Sequence, residues 1–292
     1  MSYFLTSIRT FSYWRYALFS RNAWRKIFSI VGALYLFIEL LDTFKIYEKS
    51  KYNRYELPFI VLVAVVWAVV TRRPVGRVRY KIPKKDLSFE VRVGDIFDAN
   101  GEIVVSSNTT FDTDMSGGLI AQNSMQGQFA LRFFKGNTLE IDRQIEESLK
   151  GQSSSVVEDK PGKHKKYPVG TVARVFANGQ NFYFVAMSDI NEYGTAQSSV
   201  AYIDIALEKL WTYMAERGEL GDVVVPLMGT GRGRVELPRK KMVERIAQSF
   251  ANASRDKRFS NKLVIVVYPG DVERFGINLF EVRDYLSQSL HV

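Results

Sequence analysis

The chain has 292 residues, 46% hydrophobic and 24% charged, a balance that excludes a disordered or collagen-like polypeptide and suits one large domain or two modest ones. With no cysteine and only two histidines, His164 and His291, it is closed to disulfide scaffolds, thiolate zinc sites, cysteine nucleophiles and Ser-His-Asp triads. The net charge of +9 is unevenly spread: residues 1–86 hold 16 Lys and Arg against 5 Asp and Glu, and residues 87–292 hold 24 against 26. A nucleic-acid-binding domain carries its basic footprint on itself, so nucleic acid is not an expected partner of the larger, slightly acidic part.

The basic first 86 residues contain the two most apolar runs, residues 27–41 within 24–44 and residues 57–70 within 52–71. Each approaches the about 20 residues that a spanning helix needs, and aromatic and basic flanks suit the membrane interfaces. The expectation is an N-terminal helical transmembrane hairpin over residues 1–86, with the lipid bilayer as a partner. Arg9, Arg15, Arg21, Arg25 and Lys26 precede the first run, and seven Lys and Arg follow the second over residues 72–86. The positive-inside rule then places both termini and residues 87–292 on the cytoplasmic side of a bacterial inner membrane. Residues 3–24 mix aromatics with arginines and no acid, as a helix lying on an anionic surface does. Glu39 and Asp42 fall near the outer end of the first span, where they snorkel to the interface.

From residue 87 the pattern alternates. Residues 87–93 and 102–106 predict short strands, and residues 124–149 a helix with Ser124 as its N-cap. Residues 151–170, rich in Ser, Lys, Pro and Gly, predict a mobile excursion whose Lys160, Lys163, Lys165 and Lys166 form a solvated basic loop. Residues 171–177 and 181–187 predict a hairpin turned at Asn178-Gly179. A helix over 195–217, a strand over 222–227, a helix over 238–253 with Pro at its start, a strand over 262–268 and a helix over 271–289 complete the series. Two strands apolar on both faces belong in the centre of a sheet covered by helices, so the fold class is α/β, a three-layer α/β/α domain with a mixed sheet over residues 87–292. Ligands of such sheets bind at the carboxyl ends of the strands.

Three motifs stand at those ends. Asp95 and Ile96 follow the first strand, and the second runs through Val105-Ser106-Ser107 into Asn108. The strand over 222–227 runs into Met228-Gly229-Thr230-Gly231-Arg232-Gly233-Arg234, whose alternate glycines let backbone amides approach an anion. Ser124-Met125-Gln126-Gly127 opens a helix whose N-terminus favours phosphate.

Together, a Gly-Asp-Ile, a strand ending in Asn and a Gly-Thr-Gly loop resemble the macro domain, the ADP-ribose-binding α/β/α module, over residues 89–286. The resemblance implies that Asp95 holds the adenine amino group, that Ile96 offers a backbone amide beside it and that Asn108 faces the distal ribose. It further implies that Gly229, Thr230, Gly231, Arg232 and Gly233 wrap the diphosphate, that Ser124 and Gly127 lie at the phosphate-facing helix start, and that Tyr268 packs on the adenine ring. The family's Val-Asn-Ala-Ala-Asn is here Val105-Ser106-Ser107-Asn108, one asparagine short, and the following glycine run is loosened over residues 108–127. That change favours binding over hydrolysis.

A hairpin fused to a diverged macro domain resembles the ThsA-like, TM-macro membrane effectors of Thoeris antiphage systems. The resemblance implies that an NAD-consuming TIR-domain partner makes a diffusible ADP-ribose-type signal, such as histidine-ADP-ribose. The macro domain would bind it as a ligand, with no cofactor and no metal; the protein would self-associate, and its helices would disrupt the membrane, killing the infected cell. Two alternatives stand beside this reading. One is a tethered ADP-ribosyl hydrolase using Asn108 with Asp112 or Asp114 to position water; the other is a passive membrane-anchored scaffold.

Overall fold

The computed structural model describes residues 7–9, 11–46, 49–73, 75–82, 86–229, 235–275, 277–279 and 281–282. The chain divides into two compact units, Met1–Gly76 with Asn278–Glu281, and Arg77–Ile277 with Val282–Val292.

The first unit is helical. Helix α1 (Phe11–Phe19) is followed by Ser20, whose hydroxyl accepts the Ala23 amide and caps α2 (Arg21–Thr43). Helix α3 (Lys49–Thr71) carries Pro58 inside it. Small residues let α2 and α3 meet: Ile27, Ala64 and Ala68 form a buried cluster, with Ile30 and Val31 against it. Arg72 is buried and donates to the Tyr16 carbonyl and to Ser20 Oγ, both at 2.7 Å, while its guanidinium lies 4.6 Å above the Tyr16 ring. Among the described residues, no helix is long and apolar enough to cross a membrane. This overturns the expected transmembrane hairpin and the inner-membrane localisation. Arg21, Arg25 and Lys26 at one end of α2 and Glu39 and Asp42 at the other shorten its apolar stretch, and the first part of α3 reads Lys-Ser-Lys-Tyr-Asn-Arg.

The second unit is built on a mixed sheet in the order β1-β2-β10-β9-β3-β7-β6. Its strands are β1 (Arg77–Lys81), β2 (Ser88–Val93), β3 (Glu102–Asn108), β6 (Val172–Ala177), β7 (Gln180–Ile190), β9 (Val223–Pro226) and β10 (Lys262–Val267). A short β8 (Ala196–Gln197) pairs with the end of β7, and β4 (Ser155–Val156) and β5 (Lys165–Lys166) form a separate two-stranded ribbon. The five central strands β2, β10, β9, β3 and β7 are parallel, and β1 and β6 run antiparallel at the edges. Strand β1 precedes residue 87, where the sequence reading starts the domain, and its register with β2 pairs Arg77 with Arg92 and Lys81 with Ser88.

Helices cover both faces, as the doubly apolar strands require. On one side lie α4 (Met125–Phe134) and α5 (Thr138–Ser148), and on the other α6 (Val200–Arg217) and α7 (Arg239–Asp256). A short α8 (Pro269–Phe275) follows β10. Ile103 and Val105 of β3, Phe182 and Phe184 of β7 and Val264 and Val266 of β10 join Phe129, Ile141 and Ile145 in one buried cluster. Phe129 is fully buried, with the rings of Phe182, Phe184 and Phe133 at 4.7–5.2 Å. The opposite layer centres on Trp211, which contacts Phe250 and Phe259 at 5.4 and 5.8 Å.

Local chemistry explains where the elements break. The single helix predicted over 124–149 is two: Lys135 takes φ +53 and Gly136 φ +80, a left-handed C-terminus, and Asn137 then caps α5 by accepting from Leu139. The predicted Asn178-Gly179 hairpin forms, both residues at positive φ. Helix α6 starts at Val200 with Ser199 as its cap, later than predicted, because Ala196–Gln197 pairs with β7. Helix α8 ends at Phe275, and the rest of the predicted helix over 271–289 lies largely outside the described residues.

Phe129→Ala removes the ring at the centre of this cluster and is expected to lower stability by about 3–5 kcal/mol, read as a shift in denaturation midpoint with an unchanged slope.

Candidate functional site

Because the five central strands are parallel, their carboxyl ends open on one edge of the sheet, and the chain leaves that edge in loops. Between the loops lies a cleft of about 470 Å³. Strand β2 delivers Asp95, Ile96 and Phe97; β3 delivers Ser106, Ser107 and Asn108; β9 delivers Gly229; and β10 delivers Tyr268. The start of α4 adds Ser124, Met125 and Gln126, and the end of β7 adds Met187 and Ser188.

Six residues expected at a ligand site therefore line one cavity: Asp95, Ile96, Asn108, Ser124, Gly229 and Tyr268. Gly127 does not line it. A Cβ there would sit 2.2 Å from the Ala121 carbonyl oxygen, so this glycine lets the loop before α4 close against the helix. Ser124 Oγ accepts from the Gly127 amide at 3.1 Å and completes that cap. Thr230, Gly231, Arg232 and Gly233 lie outside the described residues. Gly229, which precedes them, has φ +76, and Arg239 Nη1 donates to its carbonyl at 3.4 Å. Burial pushes the Arg239 guanidinium below its ordinary value, against the opposing charge of Asp271.

Tyr268 is 59% exposed at the cleft wall, which separates it from ordinary core packing. Asp95 accepts the Phe97 amide at 3.0 Å, capping a single 3-10 turn at Ile96–Asp98, and its other oxygen pairs with Arg132 of α4. Arg132 has no signal in the sequence, because only the fold of α4 over β3 brings it near Asp95.

Asn108 stands at a register shift between β3 and β7. Its Oδ1 turns into its own loop, where it accepts the amides of Thr110 and Asp112, each at 3.1 Å. This turn feeds a buried carboxylate. Asp112, with a side chain 1% exposed, pairs with Lys160 Nζ at 3.2 Å, accepts the Thr110 hydroxyl at 2.5 Å and accepts the Lys163 amide at 2.6 Å. Lys160 spends its other two protons on the carbonyls of Pro161 and Lys163, both at 2.7 Å, so the ammonium is fully satisfied. Lys163 Nζ donates to the Phe111 carbonyl at 2.9 Å and to Asp142 at 2.5 Å, holding Phe111 at φ +50.

These contacts correct two expectations. Residues 151–170 include a strap pinned onto the loop after β3, and Lys160, Lys163 and Lys166 are ion-paired with Asp112, Asp142 and Asp189. The Tyr167 amide adds a bond to the Thr109 carbonyl at 2.8 Å. Burial raises the Asp189 carboxyl, but bonds from Thr109 and Lys166 outweigh it and hold the group below the usual range. Nor is Asp112 placed to activate water, since Lys160, Thr110 and Lys163 occupy its oxygens. Asp114, the other candidate acid, accepts from the Ser116 hydroxyl and the amides of Ser116 and Gly117; the Ser116 hydroxyl foremost holds its carboxyl low. Among the described residues no group of His, Asp and Glu forms a metal site.

Residues 89–268 match the family model described as Thoeris protein ThsA, Macro domain. The Thoeris protein ThsA of Bacillus amyloliquefaciens (strain Y2) is 23% identical over 209 residues, covering 69% of this chain and 68% of that protein. Among solved structures, a point mutant of the Oceanobacillus iheyensis macrodomain covers 73% of this chain and 99% of its own at 15% identity, with a TM-score of 0.49. The same macrodomain with ADP matches at 12% identity and a TM-score of 0.43, covering 73% of this chain and 97% of that chain.

Lys160→Met strands the Asp112 charge and is expected to cost about 3–5 kcal/mol of stability. Adding Asp112→Asn should recover much of that loss, the coupling being read by thermal or chemical denaturation of the single and double variants.

Proposed function

The chain belongs to the family of the Thoeris protein ThsA macro domain, matched over residues 89–268, and from that membership we propose that its cleft receives an ADP-ribose-type nucleotide as a signal in antiphage defence. The observation that carries the proposal is the convergence of Asp95, Asn108, Gly229 and an exposed Tyr268 on one cleft at the strand ends. In this reading Tyr268 stacks on the adenine, Asp95 accepts its amino group and the Ile96 amide donates beside it. The loop from Gly229 through Gly233 cradles the diphosphate, and the Asn108 end receives the distal ribose. Ser124 helps shape the phosphate-facing end of the cleft.

The signal, of which histidine-ADP-ribose is the proposed form, comes from an NAD-consuming TIR-domain partner. Binding leads to self-association. A ligand shifts such an equilibrium only by its differential affinity for the two states, and a change from 1:99 to 99:1 needs about 5.5 kcal/mol. Sensing of this kind requires no catalytic residue. The occupied oxygens of Asp112 and the turn made by Asp114 favour it over the hydrolase alternative.

Isothermal titration of the full chain with ADP-ribose, NAD, cyclic ADP-ribose and histidine-ADP-ribose tests the proposal. The expected result is binding of at least one of these, without turnover. Tyr268→Ala should weaken it by the about 1–3 kcal/mol typical of base–aromatic stacking, roughly 5- to 150-fold. Affinity for none of the four removes the sensor reading.

A further inference from the structure

Asp95, Phe97 and Arg132 form a closed set at the mouth of the cleft. Asp95 Oδ1 accepts the Phe97 amide, the Phe97 ring lies 5.3 Å beneath the Arg132 guanidinium, and Arg132 Nη2 returns to Asp95 Oδ2. Phe97 and Arg132 are each anchored elsewhere. Phe97 packs on Phe133 and Phe182 at 5.6 and 6.4 Å, and Arg132 sits in the last turn of α4, where the helix dipole favours a cation. Asp95 and Phe97 line the cleft, whereas Arg132 stands behind them.

We infer that Arg132 is a positioning residue that sets the base preference of the cleft by holding the Asp95 carboxylate in one orientation. The inference rests on the nucleotide reading given above. An ionised carboxylate only accepts hydrogen bonds, so it favours a purine that presents an amino group and opposes one that presents a carbonyl at the same place. A carboxylate free to rotate and hydrate loses that discrimination, because it can turn away from the mismatched base. The guanidinium suits the task, since its planar fork can bond the carboxylate while its face rests on an aromatic ring. Arg132 itself need not touch the ligand.

The test compares ADP-ribose with inosine diphosphate ribose, which differ in the base alone, by titration of the full chain and its variants. The wild type is expected to prefer ADP-ribose by roughly ten- to a hundredfold, the range of one hydrogen bond to a charged group. In Arg132→Ala the preference should fall to a few-fold, through tighter inosine diphosphate ribose binding together with weaker ADP-ribose binding, and Arg132→Lys should restore part of it. Arg132→Gln, which keeps a good helix former at the position, replaces the alanine variant if that one loses stability. An equal loss for both ligands in the variants would mean a merely structural role and overturn the inference, as would a wild type without preference. A wild type that binds neither ligand overturns the nucleotide reading itself.

Discussion

The cleft depends on one buried charge. Asp112 lies within the loop that follows β3, and a carboxylate removed from water there is tolerable only because every neighbour answers it. Lys160 supplies the countercharge and Thr110 and Lys163 supply donors. Gly162 leaves the room, since a Cβ at that position, with φ +88, would sit 2.3 Å from Asp112 Oδ1. The pair thereby fastens the strap to the loop, and the loop to the end of β3. Asn108, whose Oδ1 accepts the Asp112 amide, inherits its orientation from the same arrangement. The Asn108 end of the cleft is thus shaped by an ion pair that does not line the cavity.

The other end is organised from the opposite direction. After β2 the chain must return across the face of β10 and β9 to begin β3, and it does so in the short segment between Val93 and Glu102. Phe97 pins the segment into the apolar cluster beneath, and Asp95 caps its one 3-10 turn. Asp95 and Phe97, two positions apart, both line the cleft, and Phe97 also holds the segment down. Away from the cleft, buried Glu102 accepts the Tyr183 hydroxyl and the amides of Glu219 and Gly221, tying the start of β3 to β7 and to the turn after α6. Both ends of β3 are fixed by carboxylates, one with a cation and one with neutral donors.

The edges of the sheet are protected by different chemistry. On β6 the amides of Arg174 and Phe176 donate to Ser148 Oγ and Gln144 Oε1 of α5, so part of its outer edge is occupied by side chains. On β1, Arg77 and Arg79 gather over the buried Glu90 carboxylate, with Lys262 at 3.6 Å. Burial works against the ionised form of Glu90, yet the bonds from Arg77 and Arg79 hold its carboxyl below the usual range.

Much of this was legible in the amino-acid order. Apolar runs of five and six residues, 223–227 and 263–268, announce two central strands, Asn178-Gly179 announces a hairpin, and Asp95, Asn108 and Gly229 stand at the ends of strands whose parallel arrangement brings them together. These signals are local: alternation, turn chemistry and the residue after a strand act within a few positions. Lys160 and Arg132 carried no such signal. A lysine among Ser, Pro and Gly reads as solvated, and an arginine in an amphipathic helix reads as surface, because their partners Asp112 and Asp95 lie 48 and 37 positions away. The apolar N-terminal runs misled for the complementary reason: hydropathy is counted along the chain, whereas spanning requires one uninterrupted apolar helix. Sequence determined most of the elements and six of the cleft's lining residues, since both follow from short-range pattern and strand direction. Tertiary structure decided which charges are buried together, because burial depends on contacts between segments that only folding brings within reach.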